Sequence, residues 1–110
     1  MKLSHRFEQD TCIVVMIGNL ALSEINKVEN YVQPLIMQGE TTRILLNCQD
    51  VRVIDSRGIG LLVTIFKDLE KHEKSLALCN LNQNCLNVLK ALKLDTMINI
   101  YDSLEAALSQ

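Results

Sequence analysis

The segment V-I-D-S-R-G-I-G, residues 53 to 60, brings together Asp55, Ser56 and Arg57 with two of the chain's only four glycines, Gly58 and Gly60. A carboxylate, a hydroxyl and a guanidinium beside bare backbone can cap a helix, accept a phosphate or meet another protein. As an N-cap, the Ser56 oxygen would accept an amide hydrogen from the first helical turn, which stabilises by about 1 kcal/mol. As an exposed hydroxyl at a helix start, Ser56 could instead be phosphorylated, gaining roughly −1.5 to −2 charges that free amides and the helix dipole tolerate. A helix loses roughly 1 kcal/mol for an interior glycine, so two in one first turn point to close approach by another surface or to tight packing on a sheet.

Other chemistry lacks parts. Asp55 adjoins Ser56, but no sequence context places His5 or His72 beside it, and no G-x-S-x-G elbow surrounds it. The glycines do not fit G-x-G-x-x-G, and there is no G-x-x-x-x-G-K-[ST] loop for nucleotide phosphates. Neither an intrinsic enzyme nor a cofactor is expected. Cys12, Cys48 and Cys79 lie in apolar strand-like segments and Cys85 begins a helical one, with no C-x-x-C pair. Free, buried thiols are expected, without disulfide or metal.

The segment must sit between a strand and a helix. Leu3, His5 and Phe7 alternate, Gln9-Asp10 offers a turn, and C-I-V-V-M-I follows at 12 to 17. This predicts a hairpin of two strands. Gly18-Asn19 ends the second strand. Leu22, Ile25, Val28, Val32, Leu35 and Ile36 then recur at helical spacing, with Ser23 as the expected cap and Pro34 as the expected site of a kink or break. R-I-L-L-N-C at 43 to 48 reads as a central strand because its apolar residues are consecutive. A long amphipathic helix should follow, with Ile59, Leu62, Val63, Phe66 and Leu69 on one stripe. S-L-A-L-C-N-L at 75 to 81 predicts a strand, and Leu86, Leu89 and Leu92 a helix. M-I-N-I-Y at 97 to 101 predicts a short strand, and Ser103 caps L-E-A-A-L at 104 to 108. The order ββαβαβαβα defines an α/β class with a mixed, mainly parallel central sheet and covering helices.

Composition agrees with a small binding device. The chain has 110 residues, 48% hydrophobic and 22% charged, which suits one domain over residues 1–110. With 11 basic and 13 acidic side chains and a net charge of −2, no direct nucleic-acid partner is expected. The apolar stretches are far shorter than the roughly 20 residues of a membrane helix, and M-K-L-S-H-R-F-E-Q-D has no signal-peptide core. No membrane insertion is expected, and the cytoplasm is the expected location.

The sequence resembles a stand-alone STAS domain of the bacterial anti-sigma factor antagonist family. D-S-R-G-I-G is similar to the family's D-S-x-G-hydrophobic-G segment, G-N-L at 18 to 20 to its turn after the second strand, and L-A-L-C-N-L to its fourth strand. L-K-L-D-T-M-I-N-I-Y-D-S-L-E-A-A-L resembles its usual tail, so the likeness spans nearly the whole chain. The resemblance implies the STAS fold and a partner-switching circuit in transcription. In it, the unmodified protein captures an anti-sigma factor that is also a serine kinase. Ser56 would be the phosphoacceptor, the kinase would supply ATP and Mg2+, and a PP2C-like phosphatase would restore the hydroxyl. Gly18, Asn19, Leu20, Ala21 and Leu22 would form the docking edge with Asp55, Ser56, Arg57, Gly58, Ile59 and Gly60.

Three positions depart from the family pattern. Arg57 stands where a serine or small residue is common, and its guanidinium could pair with a phosphate or an acidic partner. Ala21 replaces a frequent aspartate, and Lys93 a frequent glycine. A second reading keeps the fold and edge but makes the chain a regulatory or structural subunit of another signalling assembly or of a membrane lipid transporter.

Overall fold

The computed structural model describes residues 1–109; Gln110, the last residue of the expected domain, lies outside them. Strands β1 (Lys2–Glu8) and β2 (Thr11–Ile17) form the predicted antiparallel hairpin, turned at Gln9, whose φ is 55°. Then come α1 (Glu24–Ile36), β3 (Arg43–Asp50), α2 (Ser56–Lys71), β4 (Ser75–Cys79), α3 (Gln83–Ala91), β5 (Asn99–Tyr101) and α4 (Leu104–Leu108). A 3-10 turn, Leu94–Thr96, precedes β5 and was not anticipated.

The strands lie in the order β1-β2-β3-β4-β5, with β2 to β5 mutually parallel. Because the sheet grows in one direction, right-handed crossovers carry α1, α2 and α3 to the same face. Val28 and Val32 of α1, Leu62 and Leu69 of α2, and Cys85 and Leu89 of α3 accordingly share one core with Val14, Leu46 and Leu78. The opposite face carries α4 alone, whose Ala107 packs with Ile13, Leu45, Ala77 and Cys79. Arg43 fixes that helix by donating to the Ala107 carbonyl at 3.0 Å and to Thr11 Oγ1 at 3.1 Å.

The helix boundaries differ from the sequence reading in instructive ways. Leu22 does not join the α1 stripe: the helix starts two residues later, and Leu22 is 65% exposed with φ 52°. Ser23 does not cap α1 through its side chain, since its own backbone is already helical (φ −70°, ψ −12°) and leaves its hydroxyl without a first-turn partner. Pro34 lies in the last turn, and α1 runs through it to end at Ile36. The α2 stripe includes buried Leu61 and Ile65, while Ile59, Val63 and Phe66 flank it half-buried. Leu92 stands beyond α3, exposed, because the buried stripe of that helix is the pair Cys85 and Leu89. Ser103 caps α4 as expected, accepting the Ala106 amide at 3.0 Å.

Candidate functional site

Two loops meet at the carboxyl ends of β2 and β3. Gly18 turns with φ 134° and donates its amide to the Asp50 carbonyl at 3.1 Å. The Leu20 amide donates to the Val53 carbonyl at 2.9 Å, the Asp55 amide returns to the Leu20 carbonyl at 3.3 Å, and Leu20 and Ile54 form an isolated parallel bridge. The β2–α1 and β3–α2 connections are therefore stitched together along their backbones.

Asp55 completes the seam and takes the capping position, the alternative open to Ser56 in the sequence. Asp55, in extended geometry, is the N-cap of α2, with Oδ1 accepting the Gly58 amide at 2.9 Å. Its Oδ2 accepts the Leu22 amide at 3.1 Å, from the other loop. Ser56 is the first residue of α2 and exposed, and it is not the cap. Adjacent Asp and Ser are both good caps, and the residue with extended backbone takes the position. The amides expected to receive a phosphate are thus partly occupied by a carboxylate.

The Gly58 amide, with support from the Leu22 amide and from the Arg57 amide and charge, holds the Asp55 carboxyl below its ordinary 3.8, against a smaller opposing effect of burial. A depressed folded-state pKa means that the anion stabilises the fold above the unfolded pKa, and that this stabilisation fades as pH falls through the folded value. Asp55→Ala should therefore melt several degrees below wild type at pH 7, and the gap should narrow once the pH drops below 3.8, as thermal melts at a series of pH values will report.

The glycines divide in role. A Cβ at Gly58 would lie 2.1 Å from the Leu20 carbonyl oxygen, whereas one at Gly60 would meet nothing within 4 Å. Gly58 is internal packing between the two loops; Gly60 is bare, exposed helix surface. Leu20 is buried and Ile59 half-buried against the core, so both hold the edge in place. Asn19, Leu22, Ser56, Arg57 and Gly60 are its exposed members, with Ala21 partly covered. Sequence reasoning assigned no role to Val53, which is 49% exposed, or to Val88, which shares a shallow hollow with Val53 and Cys85. Asn82 ties this side of the site down, capping α3 through the Cys85 amide at 2.8 Å and donating to the Arg52 carbonyl at 3.0 Å.

No imidazole joins Ser56. His5 is bonded to the Tyr31 hydroxyl at 2.6 Å on the outermost strand, and His72 closes the far end of α2. The four cysteines are free and buried, as expected, and burial pushes the Cys79 thiol up to about 11 and the Cys48 thiol up as well. Among the described residues, no group of three His, Cys, Asp or Glu is placed to hold a metal ion, and no helix is long and apolar enough to cross a membrane.

A five-stranded mixed sheet with helices crossing one face, and a stitched pair of loops at its carboxyl end, defines the architecture of the class. The STAS domain profile matches residues 2–107, and the chain belongs to the STAS domain family. A Thermotoga neapolitana protein provisionally designated an anti-sigma factor antagonist is 26% identical over 106 residues, 96% of this chain and 94% of its own length. The crystal structure of a Thermotoga maritima protein with the same provisional designation matches at TM-score 0.90 and 25% identity, over 97% of this chain and 92% of the other. The Bacillus cell fate determinant SpoIIAA, in its phosphorylated form, shares the fold at TM-score 0.75 and 20% identity, over 98% of this chain and 97% of that one.

Proposed function

We propose that this chain acts, as a single STAS domain over residues 1–110, as an anti-sigma factor antagonist controlled by phosphorylation of Ser56. Unmodified, it captures an anti-sigma factor that is also a serine kinase; modified, it lets go. The observation that carries this reading is that Asp55 caps α2, which leaves the Ser56 hydroxyl exposed at the centre of the two-loop edge. Antagonism of an anti-sigma factor agrees with the designation of the Thermotoga relative, and the reading adds partner switching in the cytoplasm.

In the transfer, Ser56 Oγ attacks the γ-phosphorus of kinase-bound ATP. The Oγ–P bond forms, the bond to the β,γ-bridging oxygen breaks, ADP leaves, and the hydroxyl proton passes to a base on the kinase. The chain supplies the acceptor and no catalytic group. Its net charge moves from −2 toward about −4. The new dianion adjoins the Asp55 carboxylate, with the Arg57 guanidinium as its neighbour in sequence, so the edge changes from nearly neutral to anionic. A PP2C-like phosphatase reverses the change by hydrolysis.

Incubation with ATP and a serine kinase of the same organism that binds the chain should add one phosphate, located at Ser56 by mass spectrometry and absent from Ser56→Ala. A kinase active on another substrate that leaves Ser56 unmodified would sink the reading.

A further inference from the structure

The sheet ends on one side in β5, three residues long, and on the other in β1, seven residues long and exposed at all but Leu3. A seven-residue strand runs about 24 Å, and its outer row of amides and carbonyls is an open template for another strand. Charges on such an edge usually act as guards, because an incoming strand meets like charge or leaves a charge unpaired. The sequence K-L-S-H-R-F-E does the opposite when it meets itself.

Two copies related by a twofold axis normal to the sheet, with helix-bearing faces continuous, must pair residues of the same parity. Centring the axis on Ser4 sets Lys2 against Arg6, and centring it on Arg6 sets that residue against itself. Centring it on His5 pairs the full strand and sets Lys2 against Glu8 twice and Leu3 against Phe7 twice. Lys2 and Glu8 lie on the α4 face, opposite Ile17 and Thr11 of β2, while Leu3 and Phe7 lie on the face of the main core, opposite Met16 and Cys12. Phe7, a large apolar side chain 48% exposed in one copy, gains a partner in Leu3. Glu8, already paired with Arg6 along its own strand, gains the second copy's lysine.

We infer that β1 is a self-complementary edge through which two copies of this chain associate in an antiparallel pairing centred on His5, joining two five-stranded sheets into one of ten. The pairing uses none of the residues of the Ser56 loop or of the loop at 18 to 22, although Lys2 lies opposite Ile17 beside Gly18, so it stands independently of the partner-switching reading.

Sedimentation velocity over a concentration series tests it, with Lys2→Glu, Glu8→Lys and the double exchange, all checked for folding by circular dichroism. Each single exchange sets like charges opposite each other at both ends of the pairing and should weaken the dimer about tenfold. The double exchange restores opposite charges at the same places and should recover wild-type association. A wild type that stays monomeric up to about 1 mM overturns the inference. So does a dimer indifferent to the single exchanges, or a double exchange no tighter than either single.

Discussion

Ser56→Asp is expected to cost the proposed complex with the anti-sigma factor about a hundredfold in affinity, because a charge buried at an interface without a partner costs about 3 kcal/mol. The fold should hardly notice. Ser56 is exposed, makes no capping bond, and occupies a helical position whose cap is a different residue. Exposed substitutions of that kind move stability by less than about 0.5 kcal/mol. The affinity, measured by isothermal titration calorimetry, and the melting temperature therefore separate. Ser56→Ala, which removes the acceptor without adding charge, should bind within a few-fold of wild type. Equal affinity of Ser56→Asp and wild type, with both folded, would show that charge at this position does not control docking.

The second large effect separates two glycines spaced by one residue. Gly58→Ala drives a methyl to 2.1 Å from the Leu20 carbonyl oxygen and 2.9 Å from Ile54 Cγ2. That oxygen cannot retreat freely, since it accepts the Asp55 amide while the Leu20 amide is held by Val53. A cost of about 3 kcal/mol follows, a fall of roughly 10 °C or more in the melting temperature. Gly60→Ala adds its methyl to open space and removes a helix-interior glycine, a gain of up to about 1 kcal/mol. The same methyl stands where a partner would approach the backbone of α2, so Gly60→Ala should melt higher and bind more weakly. Parallel melts and titrations read both signs, and a destabilised Gly60→Ala or a stable Gly58→Ala would overturn the division of roles.

Much of this architecture could be read from the chain because its signals are local. The consecutive apolar run at 43 to 48 and the stripe through Leu62 and Leu69 each follow from one period of burial, and the alternation at Leu3, His5 and Phe7 marks β1 although only Leu3 of the three is covered. The site was legible as a segment but not in its internal roles. Which of Asp55 and Ser56 caps α2 depends on a one-residue choice of helix start, set by the seam with Leu20 and Leu22 that lies more than 30 positions away. Leu22 fits the helical period of α1, and only the bond from its amide to Asp55 reveals it as an exposed loop residue. The two glycines look alike in sequence, because the carbonyl that presses on one of them comes from another loop. The placement of three helices on one face emerges from strand order, which no single segment encodes.

The Asp55 carboxylate holds one loop with each oxygen, 2.9 Å to Gly58 and 3.1 Å to Leu22. The edge proposed for recognition is thereby ordered on its own, and a protein docking there would not meet the entropic cost of freezing two loops. A surface prepared in this way can be released by a change of charge alone and be ready again as soon as that charge is removed, with no refolding step to slow the cycle.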